Sequence, residues 1–159
     1  MYELSVSDTC KHPSQHPARH ERGQSLVEFA IMLPVLLILL MGVVDLGRAY
    51  YTYLALRDAA AEGANFGAVY PHCVSSAECA NPNNIVHRVR QSAPSGGLVN
   101  WSDAIISPVV PSPTPGQSLT VTVSFTYTII TPVANAIIGS QTMPLTARSI
   151  FTIVCDATP

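Results

Sequence analysis

Between Gln24 and Val44 the chain carries a single ionisable side chain, Glu28, and from Ala30 onward the run AIMLPVLLILLMGVV has none. No other feature restricts the fold as much, because a helix needs roughly 20 consecutive apolar residues to cross about 30 Å of hydrocarbon. A transmembrane helix over residues 24–44 is therefore expected. The competing explanation is a secretory signal peptide, whose apolar core runs only about 7 to 15 residues and stops at a small-residue cleavage site. Here the run is longer and passes straight into DLGRAYYTYLALRDAAAEGANFGAVY, which keeps helical character without an A-x-A type break after the core.

Helical character continued from Gln24 to about Val69 makes a rod of roughly 70 Å, more than twice the hydrocarbon thickness, so several turns over residues 45–69 must stand outside it. On a helical wheel Leu46, Ala49, Tyr53, Leu56, Ala60, Gly63 and Gly67 form one stripe at spacings of three and four, with Asp58 and Glu62 on the opposite side. Gly63 and Gly67 form a GxxxG flanked by Ala59, Ala60, Ala64 and Ala68. Small residues let another backbone approach closely, which suits packing either on the protein's own sheet or on a second helix. Pro34 removes the hydrogen bond to the Ala30 carbonyl and is read equally as a hinge or as a neutral kink, both tolerated in membrane helices.

The first 23 residues, MYELSVSDTCKHPSQHPARHERG, are polar and interrupted by Pro13 and Pro17. His12, His16 and His20 recur every fourth position and, with Cys10, would share a helical face as metal ligands. Each interior proline costs a helix about 3 kcal/mol, so a disordered leader with no metal site is the expectation. Lys11, Arg19 and Arg22 precede the span and Arg48 and Arg57 follow it, which tips the positive-inside rule towards a cytoplasmic amino terminus.

A short basic leader ending in Gly23, with Glu28 and Phe29 opening an apolar helix five residues later, resembles the processing site of type IV prepilin-like proteins. The run RGQSLVEFAIMLPVLLILLMGVVDLGRAYY followed by RDAAAEGANFGA, with its D-x-G-R and A-A-x-E-G-A segments, is similar to the TadE family of minor pseudopilins from tight-adherence (Flp-type) pilus systems. That resemblance covers about residues 20 to 70, and one departure is Asn65, where family members often carry arginine. It implies a leader over 1–23, cleavage between Gly23 and Gln24 by a membrane-embedded prepilin peptidase, and as partners the membrane, other pilins or pseudopilins and the pilus assembly platform. It also implies a pilin-like α+β fold, with a long amino-terminal helix that spans the membrane in its first half and packs by its second half on a small antiparallel sheet.

The chemistry of the entrance can be reasoned separately. Glycine adopts any backbone dihedral and has no side chain, so Gly23 lets a peptide approach catalytic carboxylates at the bilayer surface. Glu28 would otherwise be an expensive residue, since a carboxylate at the bilayer centre costs roughly 2.5 to 3.5 kcal/mol on insertion scales. One helical turn from Gln24, it is the nearest opposite charge for a newly formed amine in its own or a neighbouring subunit, and such a pair offsets part of the burial cost of both groups. It would then act as a recognition and registry device between helices. The plainer alternative is an interfacial carboxylate snorkelling at the headgroups. Amino-terminal glutamine can also cyclise and lose its charge.

Residues 70–159 read as a small extracytoplasmic α+β domain. Cys73 and Cys79, with five residues between them, do not match CxxC metal or redox spacings and suit a small disulfide loop in an oxidising compartment, leaving Cys155 free or paired elsewhere. Asn81 is the expected N-cap and Pro82 the first residue of a short helix before the PSGG turn, with His87, Arg88 and Arg90 on a solvated face. Trp101, in LVNWSDAIISPVV, stands at the expected start of a strand, and PSPTPGQ is an irregular connection or hairpin loop. In SLTVTVSFTYTII, Leu119, Val121, Val123, Phe125, Tyr127 and Ile129 alternate with polar residues, the period of a half-buried strand. TPVANAIIG reads as a short helix capped by Thr131 and ended by Gly139, and a last strand over about Met143 to Val154 returns beside the previous one. A sheet of three or four antiparallel strands follows.

Charged residues are 11% of the chain against about 25% in ordinary soluble proteins, and eight Lys and Arg cannot build the basic patch a nucleic acid requires. No nucleophile elbow, phosphate loop, HExxH or paired-carboxylate motif is present, and His72 beside Cys73 reads as a loop histidine, so neither a catalytic residue nor a cofactor is assigned. Two functions remain open. One is a minor pseudopilin of a tight-adherence pilus or secretion apparatus, matured after Gly23. The other is an unprocessed single-pass anchored module whose outer domain meets a ligand or adhesive surface.

Overall fold

The computed structural model describes residues 21–92, 99–131, 136 and 139–157. Cys10, His12, His16 and His20, weighed above as metal ligands and set aside, lie outside these residues, as do the PSGG turn and most of the short helix expected over 131–139. The described elements are α1 (Glu21–Val69), α2 (Ile85–Gln91), β1 (Ile105–Val109), β2 (Ser118–Thr128) and β3 (Thr142–Thr152). The chain divides into two compact units, residues 1–37 and 38–159.

In the first unit α1 runs from Glu21 with Leu26, Val27, Phe29, Ile31, Met32, Leu33, Val35 and Leu36 all exposed. No tertiary partner among the described residues covers them. Among the described residues, α1 is the one helix long and apolar enough to cross a membrane. Pro34 lies inside it.

The second unit is α+β. Its sheet has the order β1-β2-β3, with both pairs antiparallel. Proline placement agrees with that order: Pro108 in β1 and Pro144 in β3 have no backbone N–H to donate, and each sits in an edge strand, whereas β2 has no proline. Along β2, Leu119, Val121, Val123 and Tyr127 are buried while Ser118, Thr126 and Thr128 are exposed, the alternation expected of a sheet with one covered face. Phe125 is only partly buried, packing at the margin of the core. The loop between β1 and β2 turns at Gly116, whose φ of 89° favours glycine, and its β2 end is tied to Ile153, just past β3, by Gly116 N donating to Ile153 O and Ile153 N to Gln117 O, both 2.8 Å.

The core joins α1 residues Leu56, Ala59, Ala60 and Ala64, Ile85 and Val89 of α2, the inward residues of β2, and Ala147 and Ile153. Small residues on α1 let the other elements come close. A Cβ on Gly63 would collide with Val89 Cγ2 and stand 3.4 Å from Ile85 Cγ2; one on Gly67 would collide with Leu119 and stand 2.8 Å from Ile85 Cδ1. Beyond β3 the chain returns to the end of α1, where Val154 N donates to Ala68 O at 2.9 Å and Ala157 N to Val69 O at 3.1 Å. These bonds satisfy carbonyls that a helix end leaves without intrahelical partners.

The expected stripe on α1 holds in its distal part, at Leu56, Ala60, Gly63 and Gly67, and departs nearer the apolar run. Leu46 is 72% exposed and Tyr53 40% exposed, while Asp45 and Thr52, one position earlier in each turn, are buried. The covered face is set by the neighbour it meets, and here that neighbour offers hydrogen-bond donors to Asp45 instead of an apolar surface. Two other expectations shift. Helix α2 starts three residues later than the Asn81-Pro82 pair predicts, because Asn84 is the N-cap: its side chain accepts from His87 N at 2.8 Å and donates to Cys79 O and Asn81 Oδ1. The Asn81-Pro82 bond is cis. Trp101 lies in a turn closed by Asp103 N to Asn100 O, and β1 begins at Ile105.

Candidate functional site

Gly23 and Gln24 occupy the first turns of α1, and nothing lies within 4 Å of a Cβ added to Gly23. Glu28 is one turn along, where its Oε1 accepts from Gln24 Nε2 at 3.3 Å, an i,i+4 pair on one exposed helix face. Phe29 beside it is 64% exposed. This end of α1 thus presents a glycine with open space beside it, a carboxylate already turned towards residue 24, and an apolar surface that none of the described residues covers.

A second polar cluster lies in the unit 38–159, and its partners were not foreseen from sequence. Asp45 follows directly on the apolar run and is 8% exposed. Its carboxylate accepts from Thr131 N at 2.7 Å, from Ile130 N at 3.3 Å and from the Thr131 hydroxyl. Its backbone carbonyl accepts from the Tyr127 hydroxyl at 3.3 Å. Arg48 Nη1 stands 3.9 Å from Asp45 Oδ1, and the guanidinium carbon 5.9 Å from the Tyr127 ring centroid. Thr131, expected to cap a following helix that lies outside the described residues, directs its hydroxyl to Asp45. The D-x-G-R spacing of Asp45 and Arg48 was the available signal. What it lacked was the partner, 86 residues away.

The disulfide loop forms the far end of the domain. Cys73 and Cys79 are bonded, with their Cα atoms 5.1 Å apart, and Cys155 is a free, exposed thiol. Glu78 accepts from Ser75 N at 2.8 Å and Ser75 Oγ at 2.5 Å, and these bonds hold its carboxyl below its ordinary pKa. His72, beside the bridge, pairs with Asp156 at 3.2 Å. Arg88 and His87 depart from the solvated face expected of them: both are half-buried, and the Arg88 guanidinium lies 5.1 Å from the Phe66 ring centroid. Among the described residues no group of His, Cys, Asp and Glu is arranged to hold a metal.

Among the described residues, one long helix fit to cross a membrane, continued into an α+β domain with a three-stranded antiparallel sheet, makes a pilin-like layout. Residues 23–65 match the family model of TadE-like protein, a match that starts at Gly23 and takes in Glu28, Asp45, Arg48 and Gly63. This segment is TadE-like. No curated protein and no solved structure matches the chain.

Proposed function

We propose that this chain is a minor pseudopilin-like structural component of a tight-adherence pilus or secretion apparatus, matured by a prepilin peptidase that cuts between Gly23 and Gln24. The observation that carries the reading is the TadE-like match over 23–65, which begins at the glycine of the processing motif. Residues 1–23 are the leader, 24–44 the span, 45–69 the helix extension and 70–159 the domain. The amino terminus lies in the cytoplasm, held there by Lys11, Arg19 and Arg22, and the domain lies outside, where a Cys73–Cys79 bridge is maintained.

Each residue of the entrance has a part. The peptide at Gly23 must leave the helix to reach catalytic carboxylates, and glycine, the least helix-favouring residue after proline, makes unwinding the first turn easiest. Cleavage exposes an amine at Gln24. Glu28, on the same helix face one turn away, supports a pairing with that amine in the same or an adjacent subunit. Such a pair would set the axial register of one helix against the next as the exposed apolar surface of α1 enters an assembly.

A second reading, an unprocessed single-pass module that meets a ligand or adhesive surface, is favoured by one observation: Gly23 and Gln24 are already helical. Intact mass of the purified protein separates the two. Cells with the peptidase should yield a chain beginning at Gln24, or the same chain about 17 Da lighter if Gln24 has cyclised, and cells without it the full precursor. Recovery of the precursor alone from peptidase-containing cells would establish the second reading.

A further inference from the structure

The strand connector that reaches Asp45 runs alongside the last turns of the apolar segment. Ile130 and Thr131 line an apolar pocket of about 190 Å³ together with Leu40, Met41, Val44 and Asp45. Leu40, Met41 and Val44 belong to residues 24–44, and with a rise of 1.5 Å per residue Leu40 lies about 6 Å deeper along the axis than Val44. If 24–44 fill the hydrocarbon, Ile130 stands at hydrocarbon depth as well.

Irregular backbone cannot face lipid unless its polar groups have partners within the protein. Here they do. Ile129 N donates to Gln141 O at 2.8 Å, Ile130 N and Thr131 N donate to the Asp45 carboxylate, and the Thr131 hydroxyl joins them. A connector facing water would need no such acceptor, since solvent would supply one. The outward surface agrees: Ile130 is 65% exposed, and Leu40, Met41, Val44 and Met143 are exposed beside it or at the start of β3. No Asp, Glu, Lys or Arg occurs anywhere from Ala104 to Ala147. Arg48, the cation nearest Asp45, is one turn further along α1, where its long side chain can reach the headgroups.

We propose that the β2–β3 connector at Ile130 and Thr131 dips into the bilayer beside the end of the span, with Ile130 against lipid acyl chains and Asp45 supplying the acceptors that oil cannot. The occupant is lipid, because Ile130 stands level with Leu40, Met41 and Val44 at the end of the apolar run and its exposed side chain continues their apolar surface. Asp45 is thereby a positioning residue that holds the domain at a set height on the membrane, and withdrawing α1 from the bilayer must draw Ile130 out with it. The inference rests on residues 24–44 crossing the membrane.

The test uses the full chain in phosphatidylcholine vesicles with and without acyl-brominated lipid. An environment-sensitive fluorophore is placed on single cysteines at Ile130, at Leu33 as a mid-span reference and at exposed Ile105 as an aqueous reference, with Cys10 and Cys155 replaced by serine. The label at 130 should shift to the blue and be quenched by bromine as at 33, while that at 105 is not. Quenching at 33 with an aqueous signal at 130 overturns the proposal and leaves the span intact. Aqueous signals at both overturn the span and the proposal together. A blue-shifted label at 130 that bromine does not reach means a neighbouring chain covers it, which also overturns the proposal. In Asp45→Ala, quenching at 130 should fall at least twofold with 33 unchanged; unaltered quenching in a variant that keeps its disulfide and strand signal removes Asp45 from the scheme.

Discussion

Thr131 gives both its backbone amide and its hydroxyl to the carboxylate of Asp45, joining the β2–β3 connector to the helix that precedes the whole domain. Both residues are buried, so the exchange of water for protein partners is nearly complete on each side. Hydrogen bonds to a charged group contribute about 1.5 to 3 kcal/mol, and leaving a buried partner without one costs the desolvation of that group as well. The contact therefore ties the β2–β3 connector to α1.

Asp45→Ala should lower stability by about 3 kcal/mol or more, since it strands three donors at once, whereas Thr131→Val removes one donor and should cost about 1 to 2 kcal/mol. Hydrogen exchange of the full chain in detergent provides the check. In Asp45→Ala the Thr131 amide should exchange much faster, with protection in the paired parts of β2 and β3 retained.

Gly67→Ala should destabilise by about 1 to 3 kcal/mol, because even a methyl group would be forced against Leu119 and Ile85. Gly47→Ala is the matched control, in the same helix with open space around it. There the gain in helix propensity should raise stability by up to about 1 kcal/mol. Thermal melts that rank the two variants the other way would contradict the packing at Gly67.

Removing the Cys73–Cys79 bridge as a double serine variant should cost about 2 kcal/mol, the modest value expected when the closed loop is short. Alkylation of the unreduced protein should modify Cys155 and leave Cys73 and Cys79 unlabelled until a reductant is added.

Glu28→Gln should leave membrane insertion unchanged and impair assembly, because it keeps the size and the i,i+4 geometry to Gln24 while removing the charge. Carbonate extraction reads the first property and recovery in sheared filaments the second. Lost insertion with normal assembly would assign Glu28 to the entrance of the span instead of to registry.

The Glu78 carboxyl is held below its ordinary value of 4.5 by its bonds to Ser75. A depressed folded-state pKa means that its stabilising effect is present above the unfolded value and fades as pH falls through the folded one. Ser75→Ala should raise the Glu78 titration midpoint towards 4.5, which carboxyl-detected NMR would measure.

Much of this molecule was decided locally and could be read residue by residue. The candidate span follows from the composition of 24–44, the central strand from the alternation of Leu119, Val121 and Val123, and the disulfide candidate from five intervening residues, because each property depends on neighbours in sequence. The tertiary structure decided which face of α1 is covered. Periodicity alone placed Leu46 and Tyr53 inward, yet a helix turns its side chains in every direction and the buried one is chosen by what lies opposite. Here the opposite surface is the backbone of Ile130 and Thr131, which rewards a carboxylate at Asp45 and leaves Leu46 outside. Likewise Asn84, and not Asn81, caps α2, because only Asn84 is held at once by Cys79 and His87. A hydrogen bond between residues 86 apart has no trace in local pattern, since it exists only once the sheet has brought its two ends together.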